Sequence, residues 1–455
     1  MKINSTLTSS FLFTLILLSF SSSLLAQNDE KSKAKTDKVD VKLYGFIRNY
    51  LYYDCRNVAT VCGGDYHLIP YDEDWNITSQ QESSLSNIRL PEGSEMRYDR
   101  NAIPQTHFQA LSTRVGLALS GGSLLGAVGS GKLEADFAGF GTTNTVLRLR
   151  LAYMKLDWNN ERVTHSLLVG QDWHPLSGDI MPEALGFAAG SPFRPHSRTP
   201  QLRYEMNSHG MSVMVAILYQ YQYTTPGPEG ESAVYANRSL LPEMFLGVGY
   251  RGRHIYTQLG CDITNFTVRD SFSETPFDTV HLQPYLFKDY CRSFSPSFYF
   301  QYVDGKFSLK MRTTLAQNLA HLNMMSGYAR VFENDDTTSW KYKPLSASVS
   351  YLDLAYGKKW RANLLLGYHK NLGLPDGFVI DGNAIYMKKG IDNINSIYRI
   401  APSISYNSKT FNIGVEYEWT AVSYGDLMPD GTVADNDNIH LVSNHRICFL
   451  FKYNF

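Results

Sequence analysis

The sequence lacks any stretch able to cross a bilayer as a helix. Its most apolar run, FLFTLILLSF from Phe11 to Phe20, is about half the ~20 residues that a membrane helix takes. It lies behind Met1-Lys2 and ahead of Ser21-Ser22-Ser23-Leu24-Leu25-Ala26 and Gln27. That order reads as a signal peptide over residues 1–26, cut after Ala26, rather than as a membrane anchor. No cysteine follows the cut, which argues against a lipoprotein. Cysteine is scarce altogether, with five residues: Cys55, Cys62, Cys261, Cys291 and Cys448. An odd number in an exported chain excludes a fully paired framework, although Cys55 and Cys62 can close a small loop disulfide. No histidine stands at ligand spacing beside them, so neither a zinc site nor any other metal or cofactor is expected. Charge of one sign is missing too. The net charge is -1, which removes a global case for nucleic acid. No repeat of ~40–50 residues marks a propeller.

What is present is aromatic. There are 30 Tyr, 24 Phe and 6 Trp, 13% of the chain, at a mean hydropathy of -0.26. A secreted, Tyr-rich and Gly-rich chain of low hydropathy suits a membrane β-barrel, in which only alternate residues meet lipid and aromatic girdles mark both interfaces. Composition alone leaves a β-sandwich or solenoid nearly as good.

Alternation separates them. At the C-terminus Ile447, Phe449, Phe451, Tyr453 and Phe455 alternate with Arg446, Cys448, Leu450, Lys452 and Asn454. Period two gives a strand with one apolar face. The terminal Phe455 with aromatics at every second position also resembles the signal read by outer-membrane assembly machinery. The same pattern recurs at 411–419, 398–406, 360–368 and 345–351, and Asp304-Gly305 joins two further alternating runs as a hairpin. Short turns fall near 121–126, 158–161, 207–210, 251–253, 304–305, 357–359 and 407–409. Long polar segments fall near 54–104, 172–199, 224–241, 263–292, 320–341, 371–396 and 424–439. Short turns on one side and long loops on the other are the habit of bacterial outer-membrane barrels. The expected fold is all-β, a transmembrane antiparallel barrel of about sixteen strands over 41–455, behind a flexible periplasmic lead at 27–40. A 22-stranded transporter with a plug domain needs more chain.

Several segments resemble Gram-negative porins, most of all the DcaP-like trimeric porins: LYGFIRN at 43–49, STRVGLALSG at 112–121, GKLEADFAG at 131–139, LRLRLAYMKL at 147–156, LLVGQDWHPLSGDIMPEALGFAAG at 167–190 and RTPQLRYE at 198–205. The likeness is close over the first half and is one of barrel pattern over the second. It implies sixteen strands, a homotrimer, a loop at about 172–199 folded inward to constrict the pore, and a preference for anionic organic solutes. Two features depart from the family. There is no long N-terminal coiled coil, and the first loop, about 54–104, is unusually large, enough to cap or pre-filter the mouth.

Parity identifies the lumen. If the apolar residues face lipid, their neighbours Arg114, Lys132, Arg148, Arg150, Arg203, Lys310, Arg312, Arg361, Arg399 and Arg446 face inward. The inward acids are fewer: Glu134, Asp136, Glu205, Asp262, Glu416 and Glu418. Arginines spaced by two between leucines fit a wet lumen and not a soluble core, where an unpaired charge costs several kcal/mol. Rings of arginine and lysine favour anions. The competing role is to brace the wall by pairing with Glu134, Asp136 and loop acids, and both can hold at once. In the inward loop, Asp172, Asp179 and Glu183 are placed to face Arg148 and Arg150 and set up a transverse field. Arg194, His196 and Arg198 close that loop, and Met181–Gly190 is expected to be a short helix. The first strand is ambiguous. Val41, Leu43, Ile47 and Leu51 form one face, and Tyr44, Phe46, Tyr50 and Tyr52 crowd the other.

The reading is therefore an outer-membrane channel for passive diffusion of small anions such as carboxylates, in contact with outer-membrane lipid. The alternative is a surface barrel whose loops bind a partner without transport. A barrel hydrolase would need a Ser-His-acid set, and His165-Ser166 and His369 have no distinguishing spacing. The G-x-G-x-x-G match at Gly247–Gly252 leads into a turn and a strand, so it is no dinucleotide site.

Overall fold

The computed structural model describes residues 38–61, 66–78, 96–139, 146–177, 180–186, 189–239, 241–269, 289–333 and 336–455. The expected signal peptide and most of the lead lie outside them.

Sixteen antiparallel strands close into a barrel. They are β1 (Val39–Asp54), β2 in two pieces (Gln105–Gln109 and Arg114–Leu124), β3 (Ala127–Gly139), β4 (Val146–Asn159), β5 (Val163–Trp173), β6 (Arg198–Ser208), β7 (Met211–Leu218) and β8 (Glu243–Arg251). Then follow β9 (Ile255–Arg269), β10 (Asp289–Asp304), β11 (Phe307–Gln317), β12 (Ser346–Gly357), β13 (Trp360–Gly373), β14 (Ile394–Asn407), β15 (Phe411–Tyr424) and β16 (His440–Asn454). Each pairs with its sequence neighbours, and β1 closes the ring by pairing Phe46–Asp54 with Asn454–Arg446 of β16. Phe455 completes the seam by exchanging backbone hydrogen bonds with Gly45, both at 3.1 Å. Closure leaves no free edge, as a hydrocarbon environment demands, because lipid offers no partner for backbone N–H and C=O groups.

Parity holds along the strands. On β16, Phe449 and Phe451 are 40% and 47% exposed on the outer face, whereas Arg446 and Cys448 on the inner face are 4% and 1%. On β4 a bulge at Arg150 shifts the phase, so Leu147 and Leu149 face out while Leu151 is buried inside. The ambiguity of β1 resolves in the same way. Val39, Val41, Leu43, Ile47 and Leu51 are exposed outward, and the tyrosine stripe faces in. The turn-side rim carries an aromatic girdle that includes Tyr250, Phe307, Tyr356, Trp360 and Phe411.

The loop side is not open. The first loop folds into the mouth as a hairpin, Val58–Val61 against Tyr66–Pro70, with all five residues of the second strand buried. Leu68, Ile69, Leu176, Phe193, Leu322 and Met325 belong to one buried cluster within the barrel. That hairpin of the first loop thus packs inside the rim, whereas Trp75 and Tyr98, in a second hairpin of the same loop, are exposed.

Candidate functional site: a loop-filled lumen

The connection from β5 to β6 enters the barrel and is fastened at several points along its described residues. Near its root, Arg312 of β11 donates to the Leu176 and Ser177 carbonyls. At its deepest point, Lys310 donates to the Met181 carbonyl (3.0 Å) and lies 3.3 Å from Glu183. Glu183 also receives the Arg361 guanidinium, with Nη2 at 2.7 Å from Oε1. Lys310 and Arg361 lie close to the short turns at the starts of β11 and β13, so the loop tip descends well towards that end. Burial alone would raise the Glu183 carboxyl, but the Arg361 hydrogen bond and the charges of Lys310 and Arg361 overcome it and hold the group at about 2.

Further along, Glu416 accepts the Leu185 amide (2.6 Å) and the Gly186 amide (3.0 Å), and the Tyr50 hydroxyl donates to the Leu185 carbonyl (3.0 Å). Two wall glycines make room for the loop. A Cβ on Gly414 would stand 2.5 Å from Leu185, and one on Gly367 would stand 2.6 Å from the Phe193 ring. The expected helix over Met181–Gly190 does not form among the described residues of that segment. Pro182 withholds an amide, Ala189 and Gly190 take positive φ, and the amides of Leu185 and Gly186 are bound by the wall carboxylate instead.

The arginine ladder is paired. Arg148 makes a bidentate contact with Asp136 (2.9 and 2.7 Å). Arg150 bridges Glu134 (2.8 Å) and Asp136 (2.7 Å), and Arg114 reaches Glu134 at 3.3 Å. Asp172 pairs with Arg203 on the adjacent strand (2.9 Å). The expected apposition of Asp172 and Glu183 with Arg148 and Arg150 is not what the described contacts show: Asp172 meets Arg203, and Glu183 meets Arg361 and Lys310. Asp179 lies outside the described residues. Arg194 folds back onto its own loop, donating to the Ala189 and Pro195 carbonyls and meeting His196. Burial and the neighbouring guanidiniums push His196 well down, so it stays neutral. Lys132 is exposed.

Arg399 is the busiest of the set. Its Nη1 donates to the Ser191 carbonyl of the inward loop (2.6 Å), its Nη2 to Leu68 of the first-loop hairpin (2.8 Å) and its Nε to Thr420 (2.8 Å). His67 of the hairpin pairs with Glu418, and Tyr66 meets His196. Arg446 is bidentate to Asp54 (2.8 Å each). Arg198 stacks 4.7 Å over Trp173, gives its Nε to Gln222 and keeps both Nη atoms without a hydrogen-bond partner. Of the basic residues expected to face the lumen, Arg114, Arg203, Lys310 and Arg361 also retain part of their surface, at 19%, 18%, 15% and 23% side-chain exposure.

Cys55 is held by Asn444 and the His445 amide, and Cys62 lies outside the described residues, so their pairing is not placed. His165 meets the Tyr204 hydroxyl (2.7 Å) while Ser166, on the opposite face of β5, meets Asp157. His369 binds the Met325 carbonyl (2.8 Å). These three do not converge into a hydrolytic set. Sequence spacing also missed a group of four buried residues, His174, Glu243, Asp262 and His321, whose ligating atoms all lie within 4.8 Å of one another. They come from four separate segments, so no local motif announces them.

By sequence, the chain matches no protein-family profile, and it matches no curated protein either. By structure it is similar to the outer membrane channel DcaP of Acinetobacter baumannii, at 16% identity and a TM-score of 0.58 over 94% of this chain and 99% of that one. It is also similar to an anion-selective porin from Comamonas acidovorans, at 10% identity and a TM-score of 0.52 over 92% and 100%. These likenesses establish the fold as that of outer-membrane porin barrels.

Proposed function

We propose that this chain is a non-catalytic outer-membrane porin through which small hydrophilic solutes, anionic organic carboxylates above all, diffuse passively. The observation that carries the reading is the closed sixteen-stranded barrel with an apolar exterior and a charged interior into which the β5–β6 loop descends. Sequestering charge inside and apolar groups outside has a use only when lipid surrounds the wall and water enters it. The anion preference rests on the part-exposed Arg114, Arg203, Lys310 and Arg361 and on the exposed Lys132, a set richer in cations than the acids beside it. The solved channels of the same fold, one of them an anion-selective porin, support it. The signal peptide at 1–26, delivery by the assembly machinery through Phe455, and a homotrimer embedded in outer-membrane lipid belong to the same proposal.

Reconstitution in planar bilayers tests it. The expected result is discrete current steps with a reversal potential on the anion side in a salt gradient, blocked by added aromatic or aliphatic carboxylates. Cation preference would overturn the anion assignment, and a folded barrel that passes no current would overturn the channel. The alternative, a surface barrel that binds a partner, draws on Trp75 and Tyr98 of the first loop, which are exposed; partner binding without any current would favour it.

A further inference from the structure

We propose that His174, Glu243, Asp262 and His321 form a structural site for a divalent transition-metal ion, zinc being the best fit. His174 stands at the root of the inward loop, directly after β5. Glu243 opens β8, Asp262 is on β9, and His321 lies in the short turn Ala320–Leu322 between β11 and β12. All four are buried, at 0%, 5%, 1% and 0% exposure.

The geometry is convergent. Nε2 of His174 is 2.7 Å and Nε2 of His321 is 3.1 Å from the same Glu243 oxygen, Oε1. His174 Nε2 is also 3.5 Å from Asp262 Oδ1. A tetrahedral zinc with ligands at about 2.0–2.2 Å spaces its ligand atoms by roughly 3.3–3.6 Å, so small side-chain rotations seat an ion among them. Two imidazoles and two carboxylates are also the right chemistry: borderline nitrogen donors select zinc-like ions over calcium or magnesium, and the two negative charges cancel the ion's charge.

A second observation points the same way. Neither oxygen of Asp262 has a hydrogen-bond partner, and Glu243 Oε2 and His321 Nδ1 also lack one. Buried carboxylate oxygens without partners are rare, and a bound ion is one of the few arrangements that satisfies them. The cation alongside does not do so, since Arg312 spends its Nη atoms on the Leu176 and Ser177 carbonyls. One contact must give way. The Leu176 amide lies 3.1 Å from His174 Nδ1, which puts the neutral ring's hydrogen on Nε2, aimed at Glu243. An ion takes the place of that hydrogen, the ring proton moves to Nδ1, and the Leu176 contact is released. The consequence is mechanical. The ion ties the stem of the inward loop and the 320–322 turn to two wall strands, fixing where the constriction begins.

The site is independent of what the barrel transports. The test uses the folded full-length protein in detergent, stripped with chelator, loaded with zinc, dialysed and measured for metal per chain. Folding is verified for every variant by heat-modifiable gel mobility. The expected result is about one retained zinc per chain, with affinity at least about tenfold lower in both Asp262→Asn and His321→Gln, and with intense tetrahedral absorption bands when cobalt replaces zinc. Folded wild-type protein that retains no zinc overturns the site and leaves a proton shared between the two carboxylates as the explanation. Zinc retained equally by both folded variants also overturns it. If neither variant folds, weak octahedral cobalt bands in the wild-type protein reject the site, and intense tetrahedral bands uphold it.

Discussion

At the scale of single residues, the interior is governed by desolvated charge. Arg399 neutralises Glu418 and at the same time donates to two loop carbonyls. Removing it leaves a buried carboxylate without its cation, and such losses cost about 3–5 kcal/mol. Arg399→Ala should therefore lower the melting temperature in detergent and free both loops, visible as larger and noisier single-channel currents. Glu183 gives a pH handle. Its folded value of about 2 lies below its ordinary 4.5, so its pairing stabilises the docked loop above pH 4.5 and is lost as pH falls towards 2. Current noise should rise over that acid window in the wild-type protein, while Glu183→Gln should be noisy already at neutral pH and insensitive to acid.

At the scale of elements, the β3–β4 wall and the inward loop make separate predictions. Arg148 and Arg150 balance Asp136 and Glu134. Arg148→Ala combined with Arg150→Ala leaves Asp136 uncompensated and Glu134 with Arg114 as its remaining cation, and the reversal potential should move towards cation selectivity. A smaller shift is expected from Arg203→Ala, whose partner Asp172 sits at the loop root. The loop rests on Gly414 and Gly367 because any side chain there would collide with Leu185 or Phe193. Gly414→Leu should displace the loop at a cost of about 1–3 kcal/mol, typical of overpacking, and it should show as a lower melting temperature with altered conductance. Excising the first-loop hairpin, residues 57–70, should raise single-channel conductance, because that hairpin occupies the mouth.

At the scale of the whole molecule, stability resides in ring closure. Every described barrel strand is paired on both sides, and β1 to β16 is the last pairing made along the chain. The folded protein should migrate differently from the boiled protein on gels and should leave the membrane only with detergent. Mild cross-linking should capture three copies. A dissolved periplasmic monomer would contradict all three expectations.

The sequence by itself determined the strand pattern, the seven short turns and the facing of Arg148, Arg150, Arg361 and Arg446, because lipid on one side and water on the other impose period two on each strand. It left β1 open, because tyrosines that face the lumen and aliphatics that face lipid are both apolar by type. It placed Glu183 on the inward loop but gave Asp172 to that loop when it lies at the end of strand β5, it did not find Arg361 and Arg203 as their partners, and it read Met181–Gly190 as a helix. Tertiary structure alone decided those points. Which arginine meets which acid, where the first-loop hairpin goes, and that His174, Glu243, Asp262 and His321 converge all depend on loops folded back across the barrel, bringing together residues separated by tens to hundreds of positions. Local periodicity carries no information about such distances.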